Sequence, residues 1–307
     1  MKKSTKLIVF LFTILTSLAT LNSCKQDTPK EITLATNTPQ ENKKTTQPLS
    51  KKFKNYWYGG TAEISSYKLN QARYGEKREG TAVLIYVTED FLPEIQVKAD
   101  NQNPSNIPVL KLNATKNFNT GIYPYSIMQS TFYPVANNQH ALKVSSSMQE
   151  WCGHVYAQIN NKSQFEIMSH SYFQGEADEN FKLDKTVLEN ELWTQLRINP
   201  KSLHVGNLKI IPSLEFLRMK HKKIKAYNAN ATLTNSTYTL TYDGLDRTLI
   251  IDFNSKFPYD ILGWKENFKS GAKIMETTAS KLKTIRSPYW QKNNNADEVL
   301  RDTLQLQ

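Results

Sequence analysis

The chain has 307 residues, a formal net charge of +11 and two cysteines. This length suffices for a large hydrophobic core, and two cysteines form at most one internal disulfide, so we expect packing rather than cross-links to stabilise the fold. Three lysines in the first six residues supply 3 of the 11 charges and leave +8 for the rest. That modest excess predicts loose attraction to anionic surfaces and argues against a nucleic-acid partner, which would need a dense basic stripe.

The N-terminus has the pattern of an export signal. Lysines precede an apolar run over residues 7–21, which is shorter than the roughly 20 residues that a membrane-crossing helix needs. The run ends in Leu21-Asn22-Ser23-Cys24, which resembles the lipobox of bacterial lipoproteins. We predict that residues 1–23 are a signal peptide and that Cys24 is lipidated, with acyl chains such as palmitate. The alternative is an ordinary signal peptide followed by an incidental cysteine.

Residues 24–50 are predicted to be a disordered linker. They are rich in Lys, Thr, Pro, Asn and Gln, and such a composition cannot repay the entropy of ordering. The linker has a root-mean-square reach of roughly 30 Å. Because two or more acyl chains anchor a protein stably, we expect a cell-envelope protein bound to a membrane by its lipid. The outer membrane, on its periplasmic or cell-surface side, is the predicted location, and residues 51–307 are the predicted globular domain.

The globular part shows mostly strand patterns. Residues 82–87 form a wholly apolar run, which is typical of a strand covered on both faces. The Asp243-Gly244 pair is a favoured hairpin turn within a late meander. The other predicted strands cover residues 123–135, 141–148, 151–159, 164–173, 223–233, 237–242 and 248–253.

One predicted helix, over residues 184–198, interrupts the strands. Asp184 is its candidate N-cap, Leu188, Leu192 and Leu196 repeat every four residues, and a proline follows the last turn. A parallel α/β fold would need a helix between most strands, and the sequence lacks them. We therefore predict a mostly-β or α+β fold, with a large curved antiparallel sheet that resembles a half-barrel and contains one main helix.

The segment from Glu150 to His170 carries the side chains best suited to chemistry. Alternation along a strand places Cys152 and His154 on one face, and a hairpin in the matching register adds His170 to it. Glu150 and Glu166 are expected on the same face. These are zinc-ligand types, and a Cys-His pair also suits a nucleophile and its base. The alternative that we favour is a polar sheet face without chemistry, so no catalytic residue and no cofactor other than this candidate zinc site is predicted.

Two further segments have open interpretations. The basic run Lys220-His221-Lys222-Lys223 either protects an edge strand or contacts anionic lipid or an envelope polymer. The aromatic strand around Tyr123-Pro124-Tyr125 either lines an apolar pocket or belongs to the core.

Seven stretches carry a resemblance to a known family over most of the domain. They are AEISSYKLNQARYGEKREGTAVLIYVTEDF, QVKADN, FNTGIYPYSIMQSTFYPV, QEWCGHVYAQ, ENELWTQLRINP, GNLKIIPSLEFLR and FPYDILGWKE. They resemble Bacteroidota lipoproteins that are often labelled septum formation inhibitor Maf. True Maf proteins resemble nucleotide pyrophosphatases with a Ser-Pro-Arg-Arg element, which this chain lacks. A looser resemblance is to periplasmic proteins with a curved sheet wrapped around a helix, including lipoprotein carriers.

Three functions are compatible with these patterns. The leading hypothesis is a non-catalytic envelope lipoprotein that binds an apolar or envelope-derived ligand or acts as a structural partner. The second is a hydrolase, either metal-assisted or of the nucleotide pyrophosphatase kind that the Maf label implies. The third, which the same label implies, is an interaction protein of the cell-division septum.

Overall fold

The computed structural model describes residues 49–136 and 139–306. All of them belong to one compact unit, Lys43–Gln307. The predicted signal peptide, Cys24 and residues 25–48 of the predicted linker lie outside the described residues. Within the described ranges, no helix is both long and apolar enough to cross a membrane.

Sixteen strands account for most of the residues that the structure describes. They are β1 Ala62–Arg73, β2 Glu76–Leu92, β3 Val97–Lys98, β4 Ile107–Thr120, β5 Tyr123–Pro134, β6 Lys143–Glu150, β7 Gly153–Asn161, β8 Phe165–His170, β9 Glu179–Leu183, β10 Val187–Leu188, β11 Gly206–Ile211, β12 Tyr227–Leu233, β13 Thr237–Tyr242, β14 Arg247–Phe253, β15 Ile261–Ser270 and β16 Lys273–Ser287.

These strands form one sheet. Its order is β10-β11-β12-β13-β14-β15-β16-β1-β2-β4-β5-β6-β7-β8-β9, and β3 pairs with β2 beside this path. Neighbours pair antiparallel along the sheet, whereas β10 and β11 are parallel. The pairing of β16 with β1 joins a C-terminal meander to an N-terminal one. The predicted mostly-β class with a large antiparallel sheet is confirmed.

The two edges of this sheet are joined by only three residues, 184–186. Strand β9 ends at Leu183 and β10 begins at Val187, and four residue steps of extended chain span at most about 14 Å. Fifteen strands laid flat would be roughly 67 Å wide, at about 4.8 Å per strand. The sheet must therefore curl until its edges come close, which gives it an inner and an outer face.

The main hydrophobic core lies on the inner face. Strand β14 alternates buried and half-buried residues, so that Leu249 and Ile251 point inward. They belong to one cluster with Leu84 of β2 and with Leu192 and Leu196 of the central helix. Side chains at every second residue of the strand thus pack against helix side chains that are four residues apart.

The outer face of β1 and β2 is also covered. Leu304, near the C-terminus, packs with Ala62, Ile64 and Val87. Val83 and Ile85 are half-buried against this cluster. The prediction that residues 82–87 form a strand covered on both faces is confirmed.

Within the described residues, four α-helices accompany the sheet: α1 Lys51–Trp57, α2 Glu189–Ile198, α3 Leu214–Met219 and α4 Val299–Thr303. The predicted helix start at Asp184 is wrong, since α2 begins five residues later. Residues 187–188 instead form β10, and Asp184 accepts a hydrogen bond from the Gln164 side chain at 2.9 Å. A residue of the helix itself makes the capping contact, since the Glu191 side chain accepts a hydrogen bond from the Leu188 N–H at 3.1 Å.

Helix α2 is held inside the sheet by a buried ion pair at each end. Near its C-terminus, Arg197 donates two hydrogen bonds to Glu63 of β1, at 2.7 and 2.8 Å, and both side chains are 1% exposed. At its N-terminus, Glu189 accepts from Arg247 of β14, with an Nη2–Oε1 distance of 2.7 Å. The acid at the N-terminus and the cation near the C-terminus also complement the helix dipole.

The Glu63 carboxylate is charged in the folded protein because its partners outweigh its burial. Burial alone would raise its pKa, but the charge and hydrogen bonds of Arg197 and the Tyr56 hydroxyl hold the pKa below its ordinary value. A lowered carboxyl pKa contributes stability above the unfolded value of about 4.3, and this contribution is lost as the pH falls through the folded pKa.

We predict that Arg197→Met lowers the free energy of unfolding at neutral pH by about 3–5 kcal/mol, because it leaves Glu63 buried and unpaired. Urea unfolding at pH 7 and pH 4 measures this. The loss should shrink at pH 4, where an unpaired buried carboxyl is protonated.

The control is Arg301→Met, which changes an exposed arginine of α4 and should alter stability by no more than about 0.5 kcal/mol. The double variant Glu63→Leu, Arg197→Met should be more stable than Arg197→Met alone. Equal losses for Arg197→Met and Arg301→Met would contradict the role given to the pair.

Candidate functional site

The hairpin of β7 and β8 has the register that the sequence predicts. Tyr156 lies opposite His170, and Asn160 lies opposite Glu166. Even-numbered residues of both strands thus share the outer face, where the side chains of Tyr156, Gln158 and Asn160 form a hydrogen-bonded row. His154 precedes this row on the same strand and is exposed.

The expectation that Glu150 and Cys152 share this face is wrong. A turn at Trp151-Cys152 separates β6 from β7, and Glu150 pairs with Gly153. Strand alternation does not continue through a turn, so Glu150 follows the inward-facing Met148 instead of His154. Cys152 is exposed in the turn itself.

Four of the five predicted residues make contacts, and these lie in three separate places. Glu150 accepts the Cys152 N–H at 2.7 Å and the Tyr172 hydroxyl at 2.7 Å. His170 lies 3.1 Å from Asp178, and Glu166 lies 3.2 Å from Lys182. The described residues contain no group of three or more His, Cys, Asp or Glu side chains placed to hold a metal ion. The arrangement gives no support to the zinc interpretation.

The Cys152 thiol is poorly suited to nucleophilic catalysis. The neighbouring Glu150 carboxylate, together with slight desolvation, raises the pKa of this thiol. A nucleophilic cysteine needs the opposite shift, because the thiolate is the reactive form.

A cleft between α3 and the inner face of β6–β8 is large enough for a small molecule. Its volume is about 410 Å³, within the range of roughly 300–1,000 Å³ of ligand sites. We name it the α3 cleft. Its apolar lining comprises Met148, Val155, Ala157, Phe173, Leu214, Leu217 and Ile224. A smaller recess of about 100 Å³ adjoins it and shares Met148, Val155, Phe173, Arg218 and His221.

Cationic side chains line the opposite wall of the α3 cleft. Arg218 stacks over the Phe173 ring, 4.3 Å from its centroid, and its Nη1 lies 3.5 Å from Glu176. His221 contacts the same carboxylate. Lys222 and Lys223 also line the cleft, and within the described ranges neither has an acidic partner within 4.0 Å. Glu179 also lines the cleft, so Arg218, Lys222 and Lys223 face two carboxylates, Glu176 and Glu179, and the lining has a net charge of +1 apart from His221.

The mouth of the recess is shaped by a close approach of Tyr172 to Gly153. A Cβ atom at residue 153 would lie 2.7 Å from the tyrosine ring, closer than real contacts allow. Glycine is therefore required at residue 153 for the Tyr172 ring to lie against the backbone. In that position the Tyr172 hydroxyl donates a hydrogen bond to Glu150. Among the predicted site residues, Glu150 lines the recess, and His170, at the end of β8, lies at the edge of the cleft.

A second cavity, deeper in the sheet, is not a ligand site of comparable size. It has a volume of about 60 Å³. Most of its charged lining residues are already paired, since Lys116 lies 2.7 Å from Glu215 and Arg247 contacts both Glu189 and Glu266. Lys220 instead lies over the Phe268 ring. These groups stabilise the interior rather than offering a binding site.

Sequence patterns missed the α3 cleft because α3 is only six residues long. Helix α3 begins after Ser213, whose side chain accepts the Phe216 N–H at 3.2 Å. The one available signal was this N-cap serine followed by LEFLRM, next to the basic run. Tyr125, from the aromatic segment Tyr123-Pro124-Tyr125, lines the recess. Both interpretations of that segment, pocket lining and core, therefore apply.

Comparisons with known proteins leave the family open. No family model matches the chain, and no curated protein matches it. Among solved structures, it is similar to a beta-barrel-like protein of the domain of unknown function DUF1849 from Brucella abortus, with 7% identity and a TM-score of 0.44, over 73% of this chain and 97% of that one. This likeness is too weak to carry an argument. The resemblance to lipoproteins labelled Maf stays a prediction.

We predict that Glu150→Gln speeds alkylation of Cys152 by iodoacetamide about threefold near pH 7.5. Removing the carboxylate lowers the thiol pKa, and the thiolate fraction rises as the pKa falls. The chain from Lys25 onward, in which Cys152 is the single cysteine, gives an unambiguous rate by mass spectrometry. Glu166→Gln is the matched control and should leave the rate unchanged. A faster reaction in the unmodified chain than in Glu150→Gln would contradict the prediction.

Proposed function

We propose that this chain is an envelope lipoprotein whose β-rich domain binds an amphipathic anionic ligand, with an acyl-like apolar part and a carboxylate or phosphate head, in the α3 cleft. The observation that carries the proposal is the pairing of an apolar floor with unpaired cations in one ligand-sized cleft. Lipidation at Cys24 and an outer-membrane location belong to the same proposal, on the basis of the N-terminal pattern.

The apolar floor favours a hydrocarbon group. Met148, Val155, Leu214 and Leu217 are each less than 9% exposed, yet all line the cleft. Covering such surface with hydrocarbon releases about 25 cal/mol per Å². A wholly polar ligand would gain nothing from this floor.

The cationic wall favours an anionic head. Lys222 and Lys223 line the cleft without an acidic partner within 4.0 Å among the described residues. The Arg218 guanidinium is already oriented by Phe173 and Glu176.

We favour binding over hydrolysis by a cysteine nucleophile. Hydrolysis by a cysteine would need a lowered thiol pKa, and that of Cys152 is raised. Ligand exchange needs only an open cleft and a reversible charge contact.

We predict that the chain from Lys25 onward binds a fluorescent long-chain fatty acid, and that Lys222→Glu, Lys223→Glu weakens this binding at least about tenfold, because like charges then face the head group. Titration of the probe fluorescence measures the affinity. The matched control is Lys209→Glu, Lys265→Glu, which reverses two exposed lysines away from the cleft and should leave the affinity unchanged.

A second variant tests the apolar floor. Ala157 lies on the inner face of β7 and lines the cleft, so Ala157→Trp should fill it and abolish binding of the fatty acid and of its neutral methyl ester alike. The charge variant should weaken binding of the acid far more than of the ester. Unaltered binding by the Ala157→Trp protein, with near-UV circular dichroism confirming its fold, would refute the proposed site.

A further inference from the structure

Four neighbouring hairpins carry a large apolar side chain at or beside their turns. We name these residues the tip row. They are Tyr74 in the β1–β2 turn, Ile122 in the β4–β5 turn, Trp151 in the β6–β7 turn and Ile274 next to the β15–β16 turn. Their exposed fractions are 60%, 81%, 67% and 80%.

All four turns lie at the same end of the sheet. Strand β1 runs antiparallel to β16, so that extending their register places Tyr74 beside Ile274. Gly80 lies opposite Phe118, which brings the β4–β5 turn to the level of the first residues of β2. The β6–β7 turn lies at this end too, because Gln149, just before that turn, lies opposite Ser126 near the start of β5.

The tip row is regular as well as exposed. Its hairpins occupy the consecutive sheet positions β15-β16, β1-β2, β4-β5 and β6-β7, so successive turns are roughly 10 Å apart, at about 4.8 Å per strand. Single exposed apolar residues need no explanation. Four in successive turns do, because turns ordinarily carry Gly, Asn, Asp, Pro and Ser.

A basic segment lies directly behind the tip row. Residues 218–225 contain five cations, Arg218, Lys220, Lys222, Lys223 and Lys225, and no acidic residue. Contacts fix this segment at the same end of the sheet. The Lys220 ammonium lies 3.2 Å from the centroid of the Phe268 ring in β15, and Arg73 donates to the Met219 carbonyl at 2.8 Å.

We propose that the tip row and this basic segment form a docking surface for a bilayer containing anionic phospholipid. Separate apolar tips about 10 Å apart enter a deformable headgroup layer one by one, whereas a protein partner would need a continuous patch. Tryptophan and tyrosine are side chains that favour the membrane interface. The cations behind them match the negative surface potential of anionic lipid.

The positions of the N-terminal attachment and the tip row, at opposite ends of the domain, are compatible with such docking. Helix α1, where the described chain enters the domain, precedes the start of β1, and the tip row lies at the opposite end of that strand. The 12 residues of β1 separate the two ends by roughly 40 Å. Residues 25–50 extend to at most about 90 Å, so a domain tethered through Cys24 reaches the bilayer of its own anchor with its tips.

The docking surface also bears on the proposed function. The recess beside the α3 cleft is lined by Tyr74, so docking brings the cleft to the lipid surface. This last step rests on the proposed function, whereas the docking surface itself does not.

The test uses the chain from Lys25 to Gln307, which contains the whole compact unit and lacks the apolar N-terminal run. Sedimentation with phosphatidylcholine vesicles, with and without phosphatidylglycerol, measures binding. We expect binding that needs phosphatidylglycerol, and at least a tenfold loss of affinity in Ile122→Ser, Ile274→Ser. The matched control, Ile95→Ser, Val299→Ser, changes two apolar residues of 66% and 60% exposure outside the tip row and should bind normally.

Fluorescence gives an independent readout. In a Trp290→Phe background, Trp151 is the most exposed tryptophan, since Trp57 and Trp264 are buried and Trp193 is half-buried. Its emission should shift to the blue when anionic vesicles are added. Equal binding by the tip variant and its control, an unshifted emission, or association between protein molecules without lipid would each overturn the proposal.

The two proposals fail separately. A tip variant that loses vesicle binding should still bind the soluble fatty acid, because Ile122 and Ile274 do not line the α3 cleft. Loss of fatty-acid binding in Ala157→Trp, with vesicle binding intact, would in turn leave the docking surface standing.

Discussion

The position of helix α2 inside the curved sheet depends on charges at both of its ends. Glu189 and Arg197 begin and nearly end the helix, and each finds its partner on a different strand of the inner face, Arg247 and Glu63. Burying four ionised groups is costly unless each is paired and hydrogen-bonded. The pairs therefore specify one placement of α2, since shifting the helix by a turn would leave charges buried alone.

This placement explains why the α3 cleft exists. Helix α2 and α1 fill the inner face near β1, β2 and β4, where Leu192, Leu196 and Trp57 join the main core. The inner face of β6–β8 packs against α3, which is six residues long, and against Leu188 and Ile211 of β10 and β11. A short helix cannot cover the full length of three strands, so apolar surface near the turns stays open and the basic segment after α3 becomes its wall.

Sequence patterns predicted the sheet well and the site only in part. Alternation located strands such as Thr237–Tyr242 and set the register of β7 with β8, because one face of each strand is buried. The predicted start of α2 was wrong because the first helical residue, Glu189, is held by an ion pair with Arg247. Arg247 lies 58 residues later in the chain, so a local sequence pattern cannot show this contact. Cys152 and Glu150 were misplaced because a two-residue turn is invisible to alternation, and the α3 cleft depends on packing between distant segments.

The three residues between β9 and β10 hold the two edges of the rolled sheet close together. While residues 184–186 are intact, β9 and β10 remain covalently neighbouring, and neither edge is free to swing outward and recruit another chain. Among the described strands β9 pairs with β8 and β10 with β11, but they do not pair with each other. Each therefore presents one unpaired edge, and holding these edges close together leaves little room for a strand of another protein to pair with either.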